Sequence, residues 1–388
     1  MSNNGTNLAL NSLRTLAALA VVVSHVRALF FVDFGGSTDQ SLLAQLFYLG
    51  TSWGHQAVII FFVLSGYWVG GSVIRNISRS TFSWRTYGVA RLSRLWLVLV
   101  PAIALTQLAD RLGNHLFPGS SIYAGSAAFH GVIPSDGPTA HLGALETLGN
   151  IFFLQSIRVE TLGSNSPLWS LAYEFWYYLL FPALLVAIVP STTRRRVVAL
   201  ALFVVGVLIA GPAVLASFPF WLLGAGVAWQ RTNLLNLTSR LTPALFTAGR
   251  VVAAFVLVAC LCLVSFVELN EIASGLVIAV PATILIVLLL GDVTSGPAVQ
   301  TLRPFSWAAD WSYSLYAVHV PVLAFAFAAI VGGDLERLEL SASSMAIFVA
   351  ITTGVCAIGF LFSLVTERRT DAVRALLSPS RASFLNKN

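Results

Sequence analysis

Arg14, His25, Glu174 and His319 each stand inside a long apolar run. A charged or titratable side chain is costly there and is usually kept for a pathway, a pair or a site. Arg14 and His25 are eleven residues apart in LRTLAALAVVVSHV, close to three helical turns. A helix therefore sets them on one face, about 16 Å apart along its axis. Glu174 lies seven residues into the run that starts near 167, a depth similar to that of His25. Acyl transfer to an alcohol needs a base to take the hydroxyl proton, donors for the developing oxyanion and charge to hold the activated donor. His25 is the best base, because imidazole titrates near neutrality. Arginines at the membrane rim suit the phosphates of a coenzyme A thioester, which guanidinium groups bind bidentately. Glu174 then orients a histidine or takes part in proton transfer.

Plainer readings stand beside these. Arg14 can snorkel to the head groups as a topology anchor. His25 and His319 can serve as hydrogen-bonded packing residues, and Glu174 as a structural partner of an arginine or histidine. The aromatic run Phe175, Trp176, Tyr177 and Tyr178 fits packing and interface better than chemistry.

The elements that must position these residues are membrane spans. Of 388 residues, 57% are hydrophobic and only 10% are charged, against roughly 25% charged in soluble domains. Runs of about 20 apolar residues, enough to cross a hydrocarbon core, recur at about 8–31, 53–74, 88–109, 167–189, 197–213, 214–230, 245–267, 271–290, 311–331 and 343–366. The chain is therefore expected to be an all-α polytopic membrane protein with about ten transmembrane helices. The first run contains Arg14 and His25 and is too long for a cleaved leader, so the N-terminus is expected to be retained.

Charge sets the orientation. With the N-terminus inside, the inner loops collect 17 of the 22 Lys and Arg residues, among them Arg75, Arg91, Arg94, Arg194, Arg303, Arg368, Arg381 and Lys387. The outer loops hold only Arg111, Arg158 and Arg337, and gather acids instead: Asp33, Asp39, Asp136, Glu268, Glu271, Asp334, Glu336 and Glu339. Lys and Arg bias places both termini in the cytoplasm. His319 then falls nearer the cytoplasmic half, and the net charge of +6 answers to the bilayer, with no nucleic-acid partner. The one long connection, about 110–166, lies outside and includes GALETLGNIFFLQSI, which is too short to cross and suits a re-entrant or interfacial segment.

Other chemistries find no pattern. Cys260, Cys262 and Cys356 sit in apolar runs without metal or disulfide spacing, and no metal is expected. There is no phosphate-cradling glycine loop and no GxSxG; Gly224 and Gly226 in FWLLGAGVAW form a close-packing helix pattern. No internal repeat argues for a secondary transporter.

Five segments, in order, resemble the motifs of the membrane-bound acyltransferase 3 family. LRTLAALAVVVSHV is similar to its first-span signature, with Arg14 and His25, and GHQAVIIFFVLSGYWVG to its second, around Phe61, Phe62, Ser65, Gly66 and Tyr67. ARLSRLWLVLVP resembles its arginine-rich start of the third span, supplied by Arg91 and Arg94. SPLWSLAYEFWYYLLFP looks like its serine, glutamate and tyrosine motif, with Trp169, Ser170, Glu174 and Tyr178; WSYSLYAVHVPVL resembles its late-span motif, with Ser314, Tyr316 and His319. The resemblance implies ten core spans over residues 1–366 and an acyl-CoA donor, acetyl-CoA by default, on the cytoplasmic side. It implies O-acylation of an exported or lipid-linked glycan in the cell inner membrane, with His25 as essential base and Arg14 assisting donor binding. The family often closes its last span with an acid, any residue and a proline; here Glu367, Arg368 and Arg369 stand instead, so no role is carried there. Residues 367–388 are expected to form a short basic tail, without a hydrolase-like domain of the kind many members add. Three alternatives stay open: acylation of a small secondary metabolite, a proton-coupled transporter or flippase lined by the same residues, and an export-complex subunit in which they only pack.

Overall fold

The computed structural model describes residues 4–129, 131–291, 297–332 and 337–377. Asp334, Glu336, Arg381 and Lys387, which entered the charge reading, lie outside the described residues, as does half of the basic tail. In chain order the helices are α1 (Asn4–Phe30), α2 (Leu42–Gly50), α3 (Gly54–Ser65), α4 (Gly71–Ser78), α5 (Trp84–Leu116), α6 (Ser121–Ala124), α7 (Ala144–Ile151) and α8 (Leu168–Ile188). They continue with α9 (Thr193–Trp229), α10 (Arg231–Thr238), α11 (Pro243–Phe266), α12 (Glu271–Leu289), α13 (Pro297–Ala308), α14 (Ser312–Val331), α15 (Ala342–Val365) and α16 (Thr370–Leu377).

Nine helical stretches among the described residues are long and apolar enough to cross a membrane. They match the ten expected spans with one difference: the fifth and sixth form the single 37-residue stretch α9. A straight helix of that length would reach about 55 Å, nearly twice a hydrocarbon core of roughly 30 Å. α9 is not straight. Gly211 has φ 75° and ψ 178°, a conformation open to glycine, and Pro212 follows it. Contacts with α8 show the chain turning back there. Arg196 bonds to the Ala187 carbonyl, Gly206 packs at Leu180 and Tyr177 bonds to the Val214 carbonyl; Trp221 then packs on Phe181. The chain thus descends α8 from 187 to 177 and climbs again, so the expected pair of spans is present as two antiparallel halves.

The chain forms two compact units. The first comprises Met1–Arg75, Ser170–Ala309 and Arg337–Phe348. In it α1 packs on α3 and α13, while α3 also packs on α9 and α12. Hydroxyls set the rotation of α1: Ser12 Oγ donates to the Leu302 carbonyl at 3.0 Å and Thr15 Oγ1 to the Phe305 carbonyl at 2.6 Å. The α3–α9 crossing is close because glycines line it. A Cβ at Gly66 would overlap the Trp221 carbonyl, and one at Gly224 the Val63 carbonyl. The close-packing pattern in FWLLGAGVAW thus works through Gly224, while Gly226 has nothing within 4 Å. Between α3 and α4, Gly66–Gly70 form a turn of π-helix at this crossing.

The second unit comprises Asn76–Trp169, Asp310–Glu336 and Val349–Asn388, with α5 packed on α14. Its long connection is folded. Arg111 and Gln107 bond to the Leu142 carbonyl, Gln107 also to Thr147, and Trp96 Nε1 donates to the Ile151 carbonyl at 2.9 Å. From 142 to 151 the chain therefore runs about 20 Å along α5 toward its N-terminal half. It turns through Phe153 and Ser156, both with positive φ, and returns so that Ser164 N and Oγ each donate to Asp110 at 2.8 Å. Asn165 Nδ2 then bonds to Thr106 Oγ1 and to the Ala317 carbonyl, tying the start of α8 to α14. Leu145, Leu148 and Phe152 are exposed on the hairpin's outer side. Glu367, given no role from sequence, accepts from Ser314 N in the first turn of α14, where a carboxylate meets the positive end of a helix.

Candidate active site

Because α1 is unbroken from Asn4 to Phe30, Arg14 and His25 lie within about 20° of each other around it. Ser12 and Thr15, about 80–160° away around the helix, hold another side of it on α13. Both candidates are half-buried.

On α8, Ser170, Glu174 and Tyr178 are spaced four residues apart and form one stripe. Glu174 Oε1 accepts two hydrogen bonds, from Ser65 Oγ at 2.6 Å and from Tyr178 OH at 2.5 Å. The two hydroxyl oxygens are 3.2 Å apart, converging on one acceptor. Trp221 Nε1 donates to Ser65 Oγ at 3.1 Å, so a relay runs from indole to hydroxyl to carboxylate. Glu174 is partly exposed, and its Oε2 has no hydrogen bond among the described residues. The arrangement fixes one carboxylate oxygen and leaves the other to accept a further proton donor. The structure thus brings together Glu174, Ser65 and Tyr178.

Trp221 was missed from sequence. A tryptophan in an apolar helical run reads as packing, and its only signal was the neighbouring Gly224, which permits the close crossing that carries the indole to Ser65.

Depth differs from the expectation. Gly54 sits against Ser24, the neighbour of His25, so the His25 turn lies at the beginning of α3. Ser65 is eleven residues farther on, about 16 Å along the axis. The Glu174 carboxylate is therefore nearer the level of the Arg14 turn than that of His25. Counting from the start of the apolar run does not give this level, because it follows from the turn of α3 against which α8 packs.

In the second unit His319 is fully buried. Its Nδ1 donates to the Tyr316 carbonyl at 2.7 Å, which leaves Nε2 as the acceptor nitrogen. Tyr316 OH donates to the Pro167 carbonyl at 3.0 Å. Arg91 and Arg94 are half-buried neighbours on α5, the former with its guanidinium 5.8 Å from the Tyr87 ring centre. Among the described residues no group of three His, Cys, Asp or Glu converges as a metal site would need.

Comparison with known proteins agrees with this chemistry. Residues 7–364 match the family described as an acyltransferase domain. Over 92% of its length the chain is 26% identical to "Acyltransferase MdmB" of Streptomyces mycarofaciens, covering 90% of that protein. No solved structure matches it. With apolar helices enough for a multi-pass membrane protein and a family match over nearly its whole length, the chain belongs to the acyltransferase 3 family and is an acyl-transferring enzyme.

Proposed function

We propose that this enzyme is an acyl-CoA-dependent O-acyltransferase of the cell inner membrane, with both termini in the cytoplasm. It moves an acyl group, acetyl by default, to a hydroxyl of an exported polysaccharide, a lipid-linked oligosaccharide or another glycosylated acceptor. The observation that carries the reading is the single face of α1 that bears both Arg14 and His25. Arg14 meets the phosphates of the donor. His25 takes the acceptor's hydroxyl proton as its oxygen attacks the thioester carbon; the thiolate leaves and recovers a proton from the imidazolium. Glu174, held by Ser65 and Tyr178, supplies fixed negative charge in the same helix bundle.

The test is transfer of label from radiolabelled acetyl-CoA by purified protein in lipid nanodiscs. Wild type is set beside His25→Ala, with a crude glycan extract or with small glycosylated metabolites as acceptor. Label in a glycan fraction only with intact His25 is the expected result; label only in small metabolites assigns that acceptor instead. A folded protein that neither binds nor turns over any acyl-CoA overturns the donor assignment and favours a transporter.

A further inference from the structure

The first turns of α3 border a second feature, away from the Glu174 relay. A cavity of about 470 Å³ lies between them, the end of α11 and the first turns of α12. That volume falls in the range of small-molecule sites.

Its polar lining has more side-chain acceptors than donors, the donors being the His55 imidazole and the Gln56 amide nitrogen. Glu268 and Glu271 contribute carboxylates. Gln56 adds an amide whose Oε1 is buried and takes no hydrogen bond among the described residues. The last carbonyls of α11 add the partial negative charge of a helix C-terminus. The two serines present have already spent their protons, Ser265 on the Leu261 carbonyl and Ser274 on the Leu269 carbonyl. Ile59 and Ile278 supply an apolar wall. The two carboxylates disfavour an anion here, and an apolar ligand leaves the buried amide oxygen unsatisfied. A ring that brings several hydroxyl donors on its edge and C–H groups on its face meets both kinds of lining. A protonated amine on that ring meets the carboxylates as well.

We propose that this cavity binds a sugar ring of the acceptor, with preference for a ring carrying a protonated amine. The inference rests on the glycosylated-acceptor reading above and narrows its substrate class. Ile59 precedes Ser65 by six residues, about 9 Å along α3. Glu271 is close enough for its charge to act on Tyr173, the neighbour of Glu174, which stacks on Phe62. A ring held in the cavity is thus within about two sugar lengths of the relay.

The experiment uses the full chain in phosphatidylcholine nanodiscs and saturation-transfer NMR. Methyl glucosaminide, methyl N-acetylglucosaminide and methyl glucoside serve as probes, and acetyl-CoA binding and label transfer are measured in parallel. The glucosaminide is expected to bind tightest. Glu268→Gln and Glu271→Gln should each weaken it about fivefold and erase its advantage over the N-acetylated ring. Gln56→Ala should weaken all three probes, with acetyl-CoA binding unchanged. Equal binding of the probes in wild type and every variant, or none while label still reaches the glycan extract, overturns the cavity assignment and leaves the transferase reading intact. Loss of glucosaminide binding when phosphatidylethanolamine replaces the nanodisc lipid gives the site to a lipid amine and overturns the sugar. Failure of acetyl-CoA binding and transfer together removes the transferase reading itself, and this proposal with it.

Discussion

Ser65 Oγ donates to Glu174 Oε1 across 2.6 Å, although 109 positions separate the two residues in the chain. The bond joins α3 to α8, and Trp221 of α9 completes it from behind. A hydrogen bond to a charged group contributes about 1.5–3 kcal/mol. Ser65→Ala should therefore lower kcat/KM about 10- to 100-fold if the carboxylate acts in the transition state. Trp221→Phe keeps the ring and removes one neutral donor, so a loss of about two- to tenfold is expected. Both are read by acyl transfer in nanodiscs, with monodispersity as the folding control; equal activity of Ser65→Ala and wild type would remove Glu174 from the chemistry.

Gly224→Ala should destabilise the protein by about 1–3 kcal/mol, because its Cβ meets the Val63 carbonyl and backbone cannot give way. Gly226→Ala, with nothing within 4 Å, should be neutral or gain up to about 1 kcal/mol of helix propensity. Thermal unfolding in detergent distinguishes them, and the same order of effect at both positions would refute the close crossing.

Asp110→Asn replaces two acceptor oxygens with one, while Ser164 N and Oγ both donate there. A buried donor left without a partner costs about 1–3 kcal/mol. Hydrogen exchange should rise across residues 142–165 more than in α11 or α12. Unchanged protection would mean that the hairpin is held elsewhere.

His141 Nε2 lies 2.8 Å from Asp136 Oδ1, and this hydrogen bond holds the Asp136 carboxyl below its ordinary value of 3.8. A depressed folded value means that the contribution is fully present above the unfolded value and is lost as pH falls through the folded one. The loop around 136–141 should keep its resistance to proteolysis from neutral pH down to about pH 4 and lose it only below. Asp136→Asn should reduce that resistance at neutral pH. Loss of resistance between pH 6 and 5 in the wild type would point to another group.

The spans were legible in the sequence because hydrocarbon imposes length and composition on any helix that crosses it. Even the paired fifth and sixth spans could be read, since the apolar run from 197 to 230 is too long for one crossing. Ser170, Glu174 and Tyr178 were legible as one stripe by their spacing of four, and Arg14 with His25 by their spacing of eleven. Those facts live on single helices, where 3.6 residues per turn decides which residues share a face.

Which helix meets which, and at what height, lay beyond that periodicity. The partnership of Glu174 with Ser65, the part played by Trp221 and the level of the carboxylate relative to His25 all depend on it. Glycines that let α3 and α9 approach to backbone contact set them. Sequence by itself determined the spans and the faces of single helices, because each follows from local composition and helical period. Tertiary structure alone decided the contacts and depths, because those follow from packing between segments more than a hundred residues apart.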